Sequence, residues 1–223
     1  MPPRGRRTES LSKDAIVAAA TEILDADGED ALTFRALAAR LETGAGAIYW
    51  HVANKDELLT AAAADAIDRT LTGVDGIADP REALRAIALR VFDTVDDHPW
   101  VATHLARGLG QPGMIAVLDA VGQRVEELGV PTDRLFDTAT AVLSYILGGA
   151  GQNAANARRH AQDAQAGSRA EALGQESQRW AGLDVDRYPF VRAMADSLRD
   201  HDDREQFLAG VELMLDGIGA QKR

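Results

Sequence analysis

The chain has 223 residues, of which 46% are hydrophobic and 5% aromatic, and its formal net charge is −11. It contains no cysteine and no uncharged apolar stretch long enough to cross a bilayer, which excludes a disulfide framework and leads us to expect a cytoplasmic protein with no membrane partner. The charge is uneven, because residues 1–8 carry three arginines and no acid, whereas residues 61–223 carry 17 basic and 25 acidic side chains. We therefore expect a flexible basic arm over residues 1–10 and an acidic body after it.

Apolar periodicity and capping signals predict four helices in the first third of the chain. Ser12, Thr33 and Asn54 are available as N-caps, and Gly28 is placed to end the first helix. The predicted bounds are 11–27, 34–41, 47–52 and 54–70. A glycine-containing bend at 43–46 joins the second and third helices, so we assign the first three helices to a helix-turn-helix module.

The rest of the chain is predicted to be a second, entirely helical domain that follows a linker at 73–78. Asp79 and Pro80 supply an N-cap and a first-turn proline, and three later prolines mark further helix starts. One helix is predicted to open at 79–80 and to present 84, 87, 88 and 91 on one face, and further helices are predicted near 99–108, 112–128, 132–160, 187–200 and 203–220. Because residues 162–186 are rich in Gly, Gln, Ser and charge, we predict a mobile connection there with one short helical turn at most.

Three strings in the helix-turn-helix segment carry a family resemblance. They read LTFRALA at 32–38, AIYWHV at 47–52 and NKDELL at 54–59. Together they closely resemble the signature of the TetR (tetracycline-repressor) family, and the match is specific at nearly every position from 11 to 59. The resemblance implies a DNA-binding transcriptional regulator with an all-α fold, in which an N-terminal three-helix helix-turn-helix module precedes a C-terminal helical ligand-binding and dimerisation domain.

The resemblance also assigns roles at the DNA. It implies that Arg35 reads guanine, that Tyr49 and His51 contact groove and phosphate, and that Lys55 contacts phosphate. The planar fork of an arginine suits guanine O6 and N7, although an isolated arginine on a short helix is more often a solvated surface residue. The full set of predicted DNA-contacting residues is Thr33, Arg35, Thr43, Ala45, Gly46, Tyr49, His51 and Lys55.

The start of the recognition helix offers few polar groups, so direct base reading is expected to be sparse. Ala45 or Ala47 can touch a thymine methyl group. Gly44 and Gly46 have two open interpretations, namely turn geometry and close approach of the backbone to DNA of suitable shape. Ile48 and Trp50 are predicted to be core residues rather than base readers, because their helical spacing points one of them back to the first helix.

A weaker resemblance to the tetracycline-repressor C-terminal domain covers HPW at 98–100, YP at 188–189 and FLAGVELMLDGI at 207–218. It implies a homodimer in which the long central helix and the last helix pair with their two-fold mates in a four-helix bundle. The glycines at 148–151 fit close approach at such an interface, and a local kink in a buried helix is the alternative. The predicted interface residues are Gly148, Gly149, Phe207, Val211 and Met214.

A small-molecule pocket is expected among the helices of this domain. Its candidate residues, for which a plain buried core is the alternative explanation, are Phe92, Trp100, His104, Phe136, Tyr145 and Gln152. His104 falls close to a metal-binding histidine of tetracycline repressors, but Gln152 stands where we align their carboxylate, and a neutral amide is a poor ligand for a hard cation. We therefore expect no metal and no cofactor, a largely apolar organic inducer, and a sensing site around Trp100 and His104.

These observations predict a ligand-responsive repressor that a small organic molecule releases from double-stranded operator DNA. The predicted domains are a basic arm at 1–10, a helix-turn-helix DNA-binding domain at 11–72 and a ligand-binding and dimerisation domain at 73–223. The sequence contains no phosphate loop, metal-ligand cluster or nucleophile set that would favour an enzyme. The alternative is a helical dimeric protein-interaction module that has lost specific DNA binding, and retention of Arg35, Tyr49 and Lys55 argues against it.

Overall fold

The computed structural model describes residues 11–162 and 168–220, and the predicted basic arm at 1–10 lies outside them. Within these ranges the chain forms helices and no strand, which confirms the all-α fold class. The helices are α1 Lys13–Asp27, α2 Phe34–Arg40, α3 Ala45–Tyr49, α4 Lys55–Leu71, α5 Pro80–Asp97, α6 Pro99–Leu105, α7 Pro112–Glu127, α8 Thr132–Gln162, α9 Arg169–Ala181, α10 Pro189–Ala193 and α11 Asp203–Ala220. Short 3-10 turns occupy Glu29–Ala31, Val74–Gly76 and Asp196–Leu198.

Local capping chemistry starts α1, α2 and α4 at the caps that the sequence predicted, whereas α3 spans Ala45–Tyr49 rather than the predicted 47–52. The side-chain oxygens of Ser12 and Thr33 each accept a hydrogen bond from the amide three residues on, at 3.1 Å in both cases. Asn54 caps α4 in the same way at 2.8 Å. Asp79 accepts from two amides of the first turn of α5, and Pro80 is the first helical residue. Each cap satisfies amides that have no partner inside the helix, so these helix starts are fixed locally.

The helix-turn-helix segment is held together by a small apolar core that α1 to α4 share. Ile16, Leu37, Ile48 and Leu58 are fully buried and belong to one continuous hydrophobic cluster. The α3 helix has only five residues and cannot be stable alone, so its position depends on this packing.

The α4 helix connects the two ends of the molecule. It packs against α1 on one side and against α5, α6 and α7 on the other, and the hydrophobic cluster continues through it into the C-terminal region. There α5, α7 and α8 form the centre, and α11 packs against α5 and α8. A displacement of the C-terminal helices can therefore be transmitted through α4 to the helix-turn-helix segment.

Two predicted elements of the C-terminal region were wrong. The stretch expected to be a connection, 162–186, contains the 13-residue helix α9, which starts with a complete capping box formed by Ser168 and Glu171. Its Ala, Glu, Gln and Arg residues are good helix formers, and this outweighed the high polarity of the segment. The single helix expected at 187–200 is instead α10 followed by a separate 3-10 turn, which packs against α9.

An ion-pair network fastens α11 to α5. Arg85 Nε donates to Glu212 at 2.5 Å, and Arg81 donates to the other oxygen of the same carboxylate at 2.8 Å. The two arginines lower the pKa of Glu212 from its ordinary value of 4.5 to about 2. A carboxyl group with a lowered pKa in the folded state stabilises the fold above its unfolded pKa, and this contribution disappears as the pH falls towards the folded pKa.

We therefore expect the free energy of unfolding to fall between about pH 4.5 and pH 2, in part because Glu212 becomes protonated. Glu212→Gln should cost on the order of 1 kcal/mol at pH 7 and make stability less dependent on pH in this interval, as urea unfolding at several pH values would measure. Glu205→Gln, on the same helix and without an ion pair among the described residues, is the control. Equal pH dependence in wild type and Glu212→Gln would contradict the prediction.

Candidate nucleic-acid interface and ligand cavity

The turn between α2 and α3 holds α3 in contact with α2. Glu42 adopts a left-handed backbone conformation with φ of 50°, and the Thr43 amide donates to the carbonyl oxygen of Ala38 at 3.0 Å. On the outer side, the rings of Phe34 and Tyr49 stack with centroids 4.3 Å apart and planes within 2° of parallel. Backbone and aromatic contacts therefore fix α3 on both sides before any partner binds.

The exposed side of this unit carries several of the predicted DNA-contacting residues. Arg35, Gly46, Tyr49 and His51 are all exposed. Arg35 has no carboxylate partner among the described residues, whereas Arg40 on the same helix is bound to Glu22 at 2.7 Å. The guanidinium group of Arg35 is thus available to an outside partner.

Trp50 was misplaced by the sequence analysis. Ile48 is fully buried as predicted, but Trp50 is 87% exposed. Residues two apart on a helix point to nearly opposite sides, so only one of the pair can reach the core. The exposed indole ring adds an aromatic surface next to Tyr49 and His51.

Of the other four predicted DNA-contacting residues, two form hydrogen bonds within the chain and two are half-buried. The Thr33 hydroxyl accepts a hydrogen bond as the cap of α2, which leaves its own hydrogen free to donate. Lys55 Nζ donates to the Glu29 carbonyl oxygen at 2.5 Å and keeps two further N–H groups. Thr43 and Ala45 are half-buried.

The two glycines of the bend are not required by the backbone. Gly44 has φ of −86°, and Gly46 is not in the left-handed region either. A Cβ atom added at either position meets nothing within 4 Å. The turn-geometry interpretation therefore fails, and close approach of an outside partner is the interpretation that stays open.

A cavity of about 1420 Å³ lies between α8, α9 and the start of α11. Three of the six predicted pocket residues, Phe92, Tyr145 and Gln152, line it. One end is aromatic, because the ring of Phe207 lies 4.6 Å from that of Phe92 and 5.5 Å from that of Tyr145. Tyr145 also donates its hydroxyl hydrogen to the Phe207 carbonyl oxygen at 2.9 Å, and burial raises the pKa of this tyrosine.

The other three predicted pocket residues lie elsewhere. Trp100 is buried between α6 and α1, with its Nε1 donating to Asp25 at 2.8 Å. His104 is buried beside Thr60 of α4, at 3.5 Å, and burial lowers its pKa. Phe136 is 66% exposed at the start of α8. The side chains of Trp100 and His104, around which the sequence predicted a sensing site, therefore contact α1 and α4 and do not line this cavity.

One wall of the cavity is formed by α9, a helix that was not predicted from the sequence. Its lining residues follow a helical spacing of three and four and are Arg169, Ala172, Leu173, Gln175, Glu176, Arg179 and Trp180. The capping box at Ser168 and Glu171 was the signal that could have revealed this helix.

Most of the residues that were predicted to form the dimer interface pack against other residues of the same chain. Phe207 and Val211 are buried, and a Cβ atom added at Gly149 would lie 2.7 Å from the Phe207 ring. Gly148 opens onto the cavity, and Met214 lies in a separate groove of about 470 Å³ between α8 and α11. The close approach that Gly149 permits is therefore to α11 of the same protomer, whereas a Cβ atom added at Gly148 or Gly151 would meet nothing within 4 Å. The exposed apolar residue of α11 is Leu213, at 75%.

The described part of the chain offers neither a metal-ligand cluster nor a membrane-spanning helix. Residues 11–162 and 168–220 contain no cluster of three or more His, Asp or Glu side chains that would hold a metal ion. No helix in those ranges has the length and apolar character needed to span a membrane.

Comparison with known proteins gives matches over both regions. The sequence profile described as "Bacterial regulatory proteins, tetR family" matches residues 16–62, and the profile described as "Tetracyclin repressor-like, C-terminal domain" matches residues 74–222. The solved structure of the transcriptional regulator SCO7222, a TetR from Streptomyces coelicolor, has 46% sequence identity and a TM-score of 0.86, and the match covers 96% of this chain and 100% of that chain.

Two curated relatives are also similar to the chain. An HTH-type transcriptional regulator of Saccharopolyspora erythraea is 32% identical over 149 residues, which are 66% of this chain and 63%, less than two thirds, of that relative. The HTH-type transcriptional repressor DrrR1 of Streptomyces coeruleorubidus is 28% identical over 237 aligned positions, covering 97% of this chain and 80% of that protein.

Proposed function

Because this chain belongs to the TetR family of bacterial transcriptional regulators, we propose that it is a repressor whose α2–α3 unit binds operator DNA and whose α8–α9 cavity binds the releasing ligand. The observation that carries the proposal is the combination of an exposed Arg35 on the helix-turn-helix, which has no carboxylate partner among the described residues, with a large cavity in the C-terminal region. The predicted division into a DNA-binding domain at 11–72 and a ligand-binding and dimerisation domain at 73–223 is part of the proposal.

The contacts of α6 support coupling between the two regions. Trp100 and His98, at the start of α6, both bind Asp25 of α1, at 2.8 and 2.7 Å. Two residues after the end of α6, Arg107 forms ion pairs with Asp56 of α4 and with Glu29. The same α6 packs against α8, which lines the cavity. A ligand that shifts α8 would therefore move α1 and α4 through α6.

Such a ligand can release DNA only if it binds the DNA-free conformation more tightly, so ligand and DNA must weaken each other's binding equally. The proposed regulator is a homodimer, because paired helix-turn-helix units read half-sites about 34–36 Å apart. Its interface is proposed to use the outer faces of α8 and α11, where the exposed Leu213 adjoins the groove that contains Met214 and Gly217.

The test is an electrophoretic mobility assay with the DNA immediately upstream of the chain's own coding sequence. We expect retardation of this fragment at protein concentrations that leave a scrambled fragment free, and light scattering should give the mass of a dimer. Equal affinity for both fragments would refute operator recognition and favour the alternative of a protein-interaction module. A monomer at micromolar concentration would refute the dimer.

A further inference from the structure

The walls of the α8–α9 cavity carry more positive than negative charge, although the whole chain has a net charge of −11. The lining contains three arginines, Arg159, Arg169 and Arg179, and two carboxylates, Glu176 and Asp203. With His201 neutral, the formal charge of the lining is therefore +1 (three minus two). A positive concave site in an acidic protein attracts anions and disfavours cations.

Two of these arginines are already neutralised by neighbours. Arg169 forms an ion pair with Asp203, and Arg179 pairs with Glu176 at 3.0 Å. Arg159 contacts the amide oxygen of Asn156 and has no carboxylate partner among the described residues. An amide satisfies one N–H group but leaves the positive charge uncompensated, so Arg159 is the group in the cavity that an anion would bind.

The other lining groups indicate which further chemical features a ligand of this cavity would have. Gln152 and Asn156 are one turn apart on α8, and Gln206 of α11 also lines the cavity. Amides offer both donors and acceptors, while Tyr145 at one end and Trp180 on α9 offer flat apolar surfaces. The volume of about 1420 Å³ exceeds the roughly 300–1,000 Å³ of most small-molecule pockets, so there is room for several rings or a ring system with a chain.

From these observations we infer that the cavity binds an organic anion with a planar ring system, whose acidic group pairs with Arg159 and whose polar substituents meet the α8 amides. This inference rests on the proposed function and replaces the largely apolar inducer expected from the sequence. A wholly apolar ligand seated against the exposed guanidinium group of Arg159 would displace water from it and offer no replacement for that water, which costs free energy.

The test uses two fluorescent probes with the same rings. These are 8-anilino-1-naphthalenesulfonate, which carries a sulfonate, and N-phenyl-1-naphthylamine, which is neutral. We expect the wild-type protein to bind the anionic probe about ten-fold more tightly, and Arg159→Gln to remove about this factor while leaving the affinity for the neutral probe within about two-fold. Arg158→Gln is the matched control, because Arg158 is the adjacent exposed arginine and does not line the cavity.

Energy transfer from tryptophan to the probe locates the binding site. Trp180 lines the cavity and Trp50 and Trp100 do not, so Trp180→Phe should remove most of the transfer, while direct excitation of the probe measures its occupancy separately. Equal affinity for the two probes, or an unchanged anionic probe in Arg159→Gln, would overturn the inference. Transfer that persists in Trp180→Phe would overturn the site. No DNA is present in these titrations, so failure of the proposed function would be seen separately, as the absence of specific operator binding.

Discussion

Replacing Arg35 with alanine should weaken binding to the operator by about 1–3 kcal/mol and leave affinity for scrambled DNA nearly unchanged. The physical reason is that a guanidinium fork makes two hydrogen bonds to one base, and Arg35 is exposed and unpaired among the described residues. Fluorescence anisotropy with labelled operator and scrambled duplexes, at several salt concentrations, would measure both affinities.

Two control variants distinguish reading of a base from general attraction to DNA. Lys55→Ala should weaken binding to both duplexes and lower the salt dependence by about one counterion, because an ammonium group meets phosphate rather than a base edge. Since Lys55 also donates to Glu29, thermal unfolding must show that this variant is folded. Arg40→Ala, on the same helix as Arg35 but bound to Glu22, should preserve discrimination between the duplexes. Equal loss of discrimination in the Arg35 and Lys55 variants would refute the assigned roles.

The packing of α8 against α11 predicts a large loss of stability in Gly210→Ala. A Cβ atom at this position would overlap the hydroxyl group of Tyr145, which is held in place by its hydrogen bond to Phe207. Relief of the overlap must move a side chain or separate the helices, which typically costs about 1–3 kcal/mol. We therefore expect destabilisation near the upper end of that range, measured by urea unfolding.

A double variant and a glycine outside this contact make the prediction specific. Gly210→Ala combined with Tyr145→Ala should lose less stability than the sum of the single variants, because removal of the ring and its hydroxyl group vacates the space into which the added Cβ projects. Gly122→Ala on α7, where an added Cβ meets nothing within 4 Å, should be neutral or stabilise the fold by up to about 1 kcal/mol. Simple additivity in the double variant would show that the α8–α11 contact is looser than described.

The sequence by itself determined the fold class, the family and the starts of the capped helices α1, α2, α4 and α5, because the signals for these are local. An N-cap such as Ser12 or Thr33 acts on an amide three residues away, and the family signature lies within one continuous segment. Ser168 starts α9 by the same local chemistry, although the polar composition of that segment is typical of a loop.

Only the tertiary structure decided which partner each helix face meets. Trp100 is an aromatic residue of the kind that often lines a pocket, yet its hydrogen-bond partner is Asp25, which lies 75 positions away in the sequence. From the sequence, Gly149 fits a contact between two protomers as well as a contact within one chain, yet the structure shows that Phe207 of the same chain occupies the space beside it. Helical periodicity fixes how a residue points on its own helix, whereas the neighbour on that side depends on how distant helices pack around a shared core.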